Sequence, residues 1–160
     1  MRKNILCFLS FFIVISFFSC TSSETVPPYR VFEEIEKSYG TLPPGLLFDS
    51  RANEWEEHYL DANVIESIFG DEKEYREAVE SAYLYLSASL VSYEELIVLE
   101  CYTSDKARFM AGLFSERNRT LATFEENPLE ARIVCKGRTV IYCRLANTSI
   151  AKEAVRKIER

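Results

Sequence analysis

The first stretch of the chain shows no alternation of polar and apolar positions. Arg2 and Lys3 are followed by an uncharged, mostly apolar run from Ile5 to Phe18. A basic start and an apolar run of this length are typical of a secretory signal segment, whereas a transmembrane helix needs ~20 apolar residues. We therefore predict that residues 1–20 form an export signal.

The signal run ends at Ser19-Cys20, a small residue followed by a cysteine. This pair resembles the bacterial lipobox, whose cysteine is diacylated and becomes the first mature residue, although Phe17 replaces the usual leucine. Two acyl chains anchor a protein stably, whereas one does so only marginally. Cys20 therefore predicts a lipid anchor in the membrane and a location at the extracytoplasmic face, with residues 21–28 as a polar tether. Export without lipid, as a secreted or single-pass anchored protein, is the alternative.

Helical spacing of apolar residues begins after the tether. Apolar side chains recur at that spacing between positions 29 and 39, and Gly40 is placed to end the helix. Asp61 is placed to cap a short helix that ends at Gly70, and Asp71 starts another short helix that runs to about Val79. Residues 46–60 show no regular period, so no element is predicted there.

The period then changes to two, which indicates strands. Residues 83–90 and 94–102 predict two strands joined by a turn near Ser92. With residues 91 and 92 in the turn, one face of this hairpin should lie in the core. The residues predicted on that face are Leu84 opposite Leu99, Leu86 opposite Ile97, and Cys101.

The opposite face of the hairpin carries the candidate binding residues Tyr83, Tyr85, Leu96 and Val98. If helices cover only the core face, these four side chains form an aromatic, apolar patch suited to a partner. The alternative is that the amino-terminal helices cover this face.

The rest of the chain repeats the strand–strand–helix order. Ser104 is predicted to cap a helix that runs to about Glu126, and strands over 131–136 and 139–146 and a last helix follow it. Because short links join the strands of each hairpin, the fold class predicted for residues 29–160 is α+β. It is a two-layer domain with a four-stranded antiparallel sheet, in ββαββα order, preceded by short amino-terminal helices.

Charge limits the possible partners. The chain has 19 basic and 25 acidic residues, so without Arg2 and Lys3 the mature protein has 17 − 25 = −8 net charges. An acidic surface argues against nucleic acid as a partner and against electrostatic binding to anionic lipid. Membrane attachment must then come from the lipid.

Three cysteines remain in the predicted domain once Cys7 and Cys20 are set aside: Cys101, Cys135 and Cys143. An odd number permits at most one disulfide among them, and whether one forms is open. Their spacing lacks a Cys-x-x-Cys pair, so no metal site is predicted from them.

Candidate chemistry is sparse. Glu54 and His58, one helical turn apart, lack an obvious third metal ligand, and the favoured interpretation is a solvated acidic turn with Trp55 packed on the domain. The acidic pairs, including Glu94-Glu95 and Glu125-Glu126, are interpreted as surface of helices or strands. No nucleophile elbow or phosphate loop occurs. We predict no catalytic residue, metal or cofactor.

The stretch from about Val31 to Ile158 resembles an uncharacterised family of small lipoproteins from Gram-positive bacteria, a domain of unknown function. The likeness is one of element order, and it implies location and fold without assigning any functional residue. The segments that carry it are Leu60-Asp61 to Phe69-Gly70-Asp71, Tyr75-Arg76-Glu77, Glu94 to Leu99, Asp105 to Glu126, and Ala131 to Tyr142.

Two classes of function follow from these features. The first is a non-enzymatic binding or accessory module that recognises an envelope protein or another envelope component. The second is an envelope enzyme that uses carboxylates in a polar cleft, which requires an environment that separates their pKa values. Whether the Tyr83 face of the sheet is open or covered discriminates between them most directly.

Overall fold

A computed structural model describes residues 26–89 and 93–158 of the chain. The predicted signal segment 1–20, with the predicted lipid site Cys20, lies outside these ranges, as does most of the predicted tether. None of the helices in the described ranges is long and apolar enough to cross a bilayer.

The first helix, α1 (Pro28–Tyr39), forms where the apolar spacing predicts it. Proline suits the first helical turn because its missing N–H has no intrahelical partner there. Val31, Phe32 and Ile35 form the buried stripe of this helix. Gly40 ends the helix with a φ of 105°, a backbone conformation that side chains with a Cβ rarely adopt.

Strand β1 (Gly45–Asp49) lies in the segment for which no element was predicted. Two short helices follow it, α2 (Ala62–Phe69) and α3 (Glu72–Ala78). The carboxylates of Asp61 and Asp71 each accept a backbone N–H of the helix that follows, at 2.9 Å. The predicted cap at Asp61 is therefore confirmed, and Asp71 caps the helix that it was predicted to start.

The remaining elements include the two hairpins. Thr103, rather than Ser104, caps the long helix, because its hydroxyl accepts the N–H of Lys106 at 3.2 Å. These elements are β2 (Val79–Ser87), β3 (Glu95–Cys101), α4 (Ser104–Ala122), β4 (Arg132–Lys136), β5 (Thr139–Arg144) and α5 (Thr148–Ile158).

The sheet is antiparallel throughout, with the strand order β1-β2-β3-β5-β4. It has five strands, so the predicted count of four is wrong, and the added strand is β1. In the first hairpin Leu84 lies opposite Ile97, two residues from the predicted register. The predicted core face is nevertheless correct, because a slip of two residues returns each side chain to the same side.

Helices cover both faces of the sheet, so the prediction of two layers is also wrong. On one face, α2, α3 and α4 pack on Leu84, Ile97 and Leu99 in one hydrophobic core. On the other face, α1 and α5 pack on Leu96 and Val98 in a second core. The domain is therefore a three-layer α+β arrangement.

The two ends of the sheet differ in what they carry. We define the tether end as the one where β1 ends at Asp49 and β3 ends at Cys101, and the far end as the opposite one. Helix α1 begins at the tether end, because the Arg51 guanidinium lies 4.8 Å from the Tyr29 ring centroid. It finishes at the far end, where the Tyr39 hydroxyl accepts the N–H of Asn147 at 3.2 Å.

Candidate functional site

The predicted binding patch is covered in this structure. Tyr85 is 2% exposed, and Leu96 and Val98 have no exposed surface, because α1 and α5 lie over them. The half-buried Tyr83 ring packs edge-on against Phe32, with 4.8 Å between the centroids. The expectation of an open aromatic face is corrected, and the alternative that helices cover it is the one observed.

The sheet residues that sequence reasoning missed are buried acids. Glu95 is 4% exposed, and the Nε of Arg117 donates to its Oε2 at 2.8 Å. The same guanidinium donates to the carbonyl oxygen of Ser67 at 2.8 Å. One arginine of α4 thus connects β3 to α2, and the interpretation of Glu94-Glu95 as surface is wrong.

A second buried ion pair lies at the far end of the sheet. Arg144 has no exposed side-chain surface and Glu125 has 3%, and their groups form a bidentate pair. The Arg144 Nε also donates to Asn118 Oδ1 at 3.0 Å, while Glu125 accepts the N–H of Tyr93 at 3.0 Å. The pair therefore joins β5 to α4, to the segment that follows α4 and to the segment that precedes β3.

Protonation of Glu125 follows from this geometry. Burial by itself raises the pKa of the carboxyl, but hydrogen bonds from Arg144 and from the backbone N–H groups of Tyr93 and Leu129 outweigh it. The pKa of Glu125 consequently lies below its ordinary value, and the carboxylate is ionised at neutral pH.

The Tyr142 hydroxyl lies beside these pairs. Within the described residues, this fully buried group has no hydrogen-bond partner. Its ring stacks on Phe114 with 4.8 Å between the centroids. Burial raises the pKa of Tyr142, and the nearby charge of Glu95 raises it further, so the phenol is neutral.

A third ion-pair cluster lies at the tether end. The buried Glu100 accepts the Nε of Arg138 at 2.8 Å and the hydroxyl of Thr139 at 3.0 Å. Arg138 also pairs with Glu80 of β2, so this cluster links the second hairpin to the first.

These clusters favour a structural role for the buried acids. A carboxylate that acts as a general acid needs its pKa raised, usually by burial without a compensating charge. Glu95, Glu100 and Glu125 are instead each paired with a guanidinium. The arrangement connects α4 and the segment after it to the sheet, and the second hairpin to the first.

The loop of residues 50–58, which we call the Trp55 loop, lies at the surface between β1 and α2. Its base is fixed by the Asp49 N–H, which donates to the His58 carbonyl at 2.8 Å. Near its tip, the Asn53 amide donates to the Glu56 carboxylate at 2.9 Å. Trp55, predicted to pack on the domain, is instead 78% exposed.

His58, one of the two metal ligands considered, contacts the backbone of β1. His58 Nδ1 lies 3.2 Å from the Leu47 carbonyl oxygen. Over the described ranges, no group of three or more His, Cys, Asp or Glu side chains is placed to hold a metal ion.

The cysteines of the domain are unpaired thiols. Cys101 and Cys143 are buried, while Cys135 is exposed on the edge strand β4. The disulfide that the sequence left open is therefore absent among these three residues.

Comparisons with protein-family models, with curated proteins and with solved structures found no match to the chain. The likeness to small lipoproteins is consequently an expectation from the sequence alone.

Proposed function

We propose that this chain is an exported lipoprotein, anchored through acylated Cys20 at the extracytoplasmic face of the cell membrane. Its domain acts as a non-enzymatic binding or accessory module of the envelope. The observation that carries the proposal is the position of α1, which begins at Pro28, eight positions after Cys20. A folded domain thus follows the signal motif after a short polar tether.

The length of the tether restricts where the domain acts. Eight residues span at most about 28 Å at ~3.5 Å per residue. An anchor at Cys20 would hold the domain beside the membrane surface, where partners are envelope components. The acidic character of the chain supports a lipid anchor over a charged one, because acidic surfaces are repelled by anionic lipid.

The pairing of the buried carboxylates with arginine side chains favours binding over catalytic turnover. Glu95, Glu100 and Glu125 are held by arginines in positions that fix the fold. Carboxylates that are each held by a guanidinium lack the uncompensated burial that a carboxylate enzyme needs for its general acid.

Labelling with fatty acid tests the anchor. Cells that produce the wild type, Cys20→Ala or Cys7→Ala are fed labelled fatty acid, and the protein is isolated and sized. We expect label on the wild type and on Cys7→Ala, the matched control within the signal run, and none on Cys20→Ala. Labelling that persists in Cys20→Ala contradicts the lipid anchor.

The binding role needs a separate test. Acylated wild-type protein is cross-linked in its native envelope, and captured components are identified and checked for chemical change. We expect a component that is retained and unaltered. An envelope substrate that the purified protein converts, with loss of conversion when one carboxylate is changed to its amide, supports the carboxylate enzyme instead.

A further inference from the structure

We propose that the Trp55 loop contacts the membrane surface and that the tether end of the domain faces the bilayer. This inference rests on the lipid anchor proposed above and adds to it an orientation and a second membrane contact. The occupant of the loop surface is the interfacial region of the bilayer, and the contacting side chain is Trp55.

The structure places the Trp55 loop and the start of the domain at the same end of the sheet. Arg51, at the base of the loop, forms an ion pair with Asp49 at 2.6 Å. The Arg51 guanidinium also lies 4.8 Å from the centroid of the Tyr29 ring in the first turn of α1. The chain that leads back to Cys20 therefore leaves the domain directly beside this loop.

Trp55 has the properties of a membrane-interface side chain. It is 78% exposed at the tip of a loop whose base and turn are fixed by hydrogen bonds. Burying an indole in water-free surroundings is favourable, and its N–H prefers a polar neighbour, so tryptophan concentrates at the bilayer interface. A tether of at most about 28 Å keeps this tip within reach of that interface.

The flanking acids specify the type of lipid surface. Glu54 and Glu57 are exposed beside Trp55 and would be repelled by anionic lipid. Contact through the indole is therefore expected to be strongest on zwitterionic surfaces, where the carboxylates can stay hydrated at the level of the headgroups.

Intrinsic fluorescence tests the orientation, because Trp55 is the one tryptophan of the chain. The mature acylated protein is placed in phosphatidylcholine vesicles with or without bromine on the acyl chains. We expect brominated lipid to remove most of the emission of Trp55 and the vesicles to shield it from aqueous acrylamide.

A matched reporter at the far end supplies the control. Phe124 is 70% exposed and follows α4, whose 19 residues span roughly 28 Å from the tether end. In the double variant Trp55→Phe, Phe124→Trp, we expect emission that brominated lipid leaves unchanged and acrylamide quenches fully. Both substitutions are at exposed sites, and circular dichroism verifies the fold.

The outcomes separate the two proposals. Mass spectrometry of the Cys20 peptide is done first, and absence of the acyl mass refutes the anchor together with the orientation that rests on it. In acylated protein, unquenched Trp55, or equal quenching of the reporters at positions 55 and 124, overturns the orientation and leaves the anchor intact.

Discussion

Arg144 of β5 and Glu125, just beyond the end of α4, form a bidentate ion pair from which solvent is almost excluded. Burying two charges costs free energy that their attraction only partly returns, but removing one partner leaves the other charge buried alone. The pair therefore fixes how the segment after α4 lies on the far end of the sheet. Loss of one partner should lower the free energy of unfolding of the whole domain.

Arg144→Met is expected to lower the free energy of unfolding by ~3–5 kcal/mol, because it leaves the Glu125 charge uncompensated. Urea unfolding of the mature protein measures the loss. Arg119→Met is the matched control, since Arg119 pairs with Glu116 on the exposed side of α4 and such pairs contribute about 0–1 kcal/mol. Equal losses in the two variants would show that the buried pair contributes no more to the free energy of unfolding than the exposed pair does.

The same pair predicts a dependence of stability on acid. Because the folded pKa of Glu125 lies below its ordinary value of 4.5, its contribution is complete above pH 4.5 and is lost as the pH falls through the lower folded pKa. Urea unfolding across this range should show the gap between wild type and Glu125→Gln widest above pH 4.5 and narrowing below it. A gap that is constant with pH would contradict the assigned ionisation.

The buried ion pairs also mark the limit of prediction from the sequence. Glu95 was assigned to the surface because a charged side chain is rarely buried unless it is paired. Its partner, Arg117, is 22 positions along the chain and reaches Glu95 only after α4 packs on the sheet. The sequence contains both residues but no local pattern that joins them.

Local signals were more informative than distant ones. Alternation in β2 and β3 correctly identified the core face, because an even slip in register leaves the alternation unchanged. The register itself differed, and β2 begins at Val79 rather than at residue 83. The covering of Val98 could not be predicted in this way. It depends on α1 and α5, from opposite ends of the domain, which meet on one face of the sheet.

The assignment of the core face predicts the cost of truncating one of its side chains. Leu99 has no exposed surface, so Leu99→Ala should lower the free energy of unfolding by ~2–5 kcal/mol through lost burial and a new cavity. Leu46→Ala is the strand control, because Leu46 is 59% exposed and surface changes stay within about 0.5 kcal/mol. Chemical denaturation compares the two, and similar losses would mean that Leu99 is not a core residue.

The unpredicted strand β1 depends on a glycine. A Cβ at Gly45 would overlap the Tyr85 ring of the neighbouring strand and would lie 2.5 Å from the Leu86 carbonyl oxygen. Gly45→Ala should therefore destabilise the domain by ~1–3 kcal/mol, as overpacked substitutions do.

Gly112→Ala is the matched control for this substitution. A Cβ at Gly112 meets nothing within 4 Å on the exposed side of α4, and alanine is the better helix former by about 1 kcal/mol. Thermal unfolding should move in opposite directions for the two variants. A stabilised Gly45→Ala protein would show that β1 does not pack against Tyr85 as described.

Reactivity of the three domain thiols provides a test that needs no loss of stability. Burial raises the pKa of Cys101 and of Cys143 to about 12, so neither thiol supplies the reactive thiolate in the folded protein. Cys135 is exposed and should react with a maleimide at about pH 8 while the other two stay unmodified. Peptide mass spectrometry after brief labelling identifies the modified residue, and Cys135→Ser should abolish rapid labelling where Cys143→Ser does not. Rapid modification of Cys101 or Cys143 in folded protein would show that the face on which that thiol lies is open to solvent.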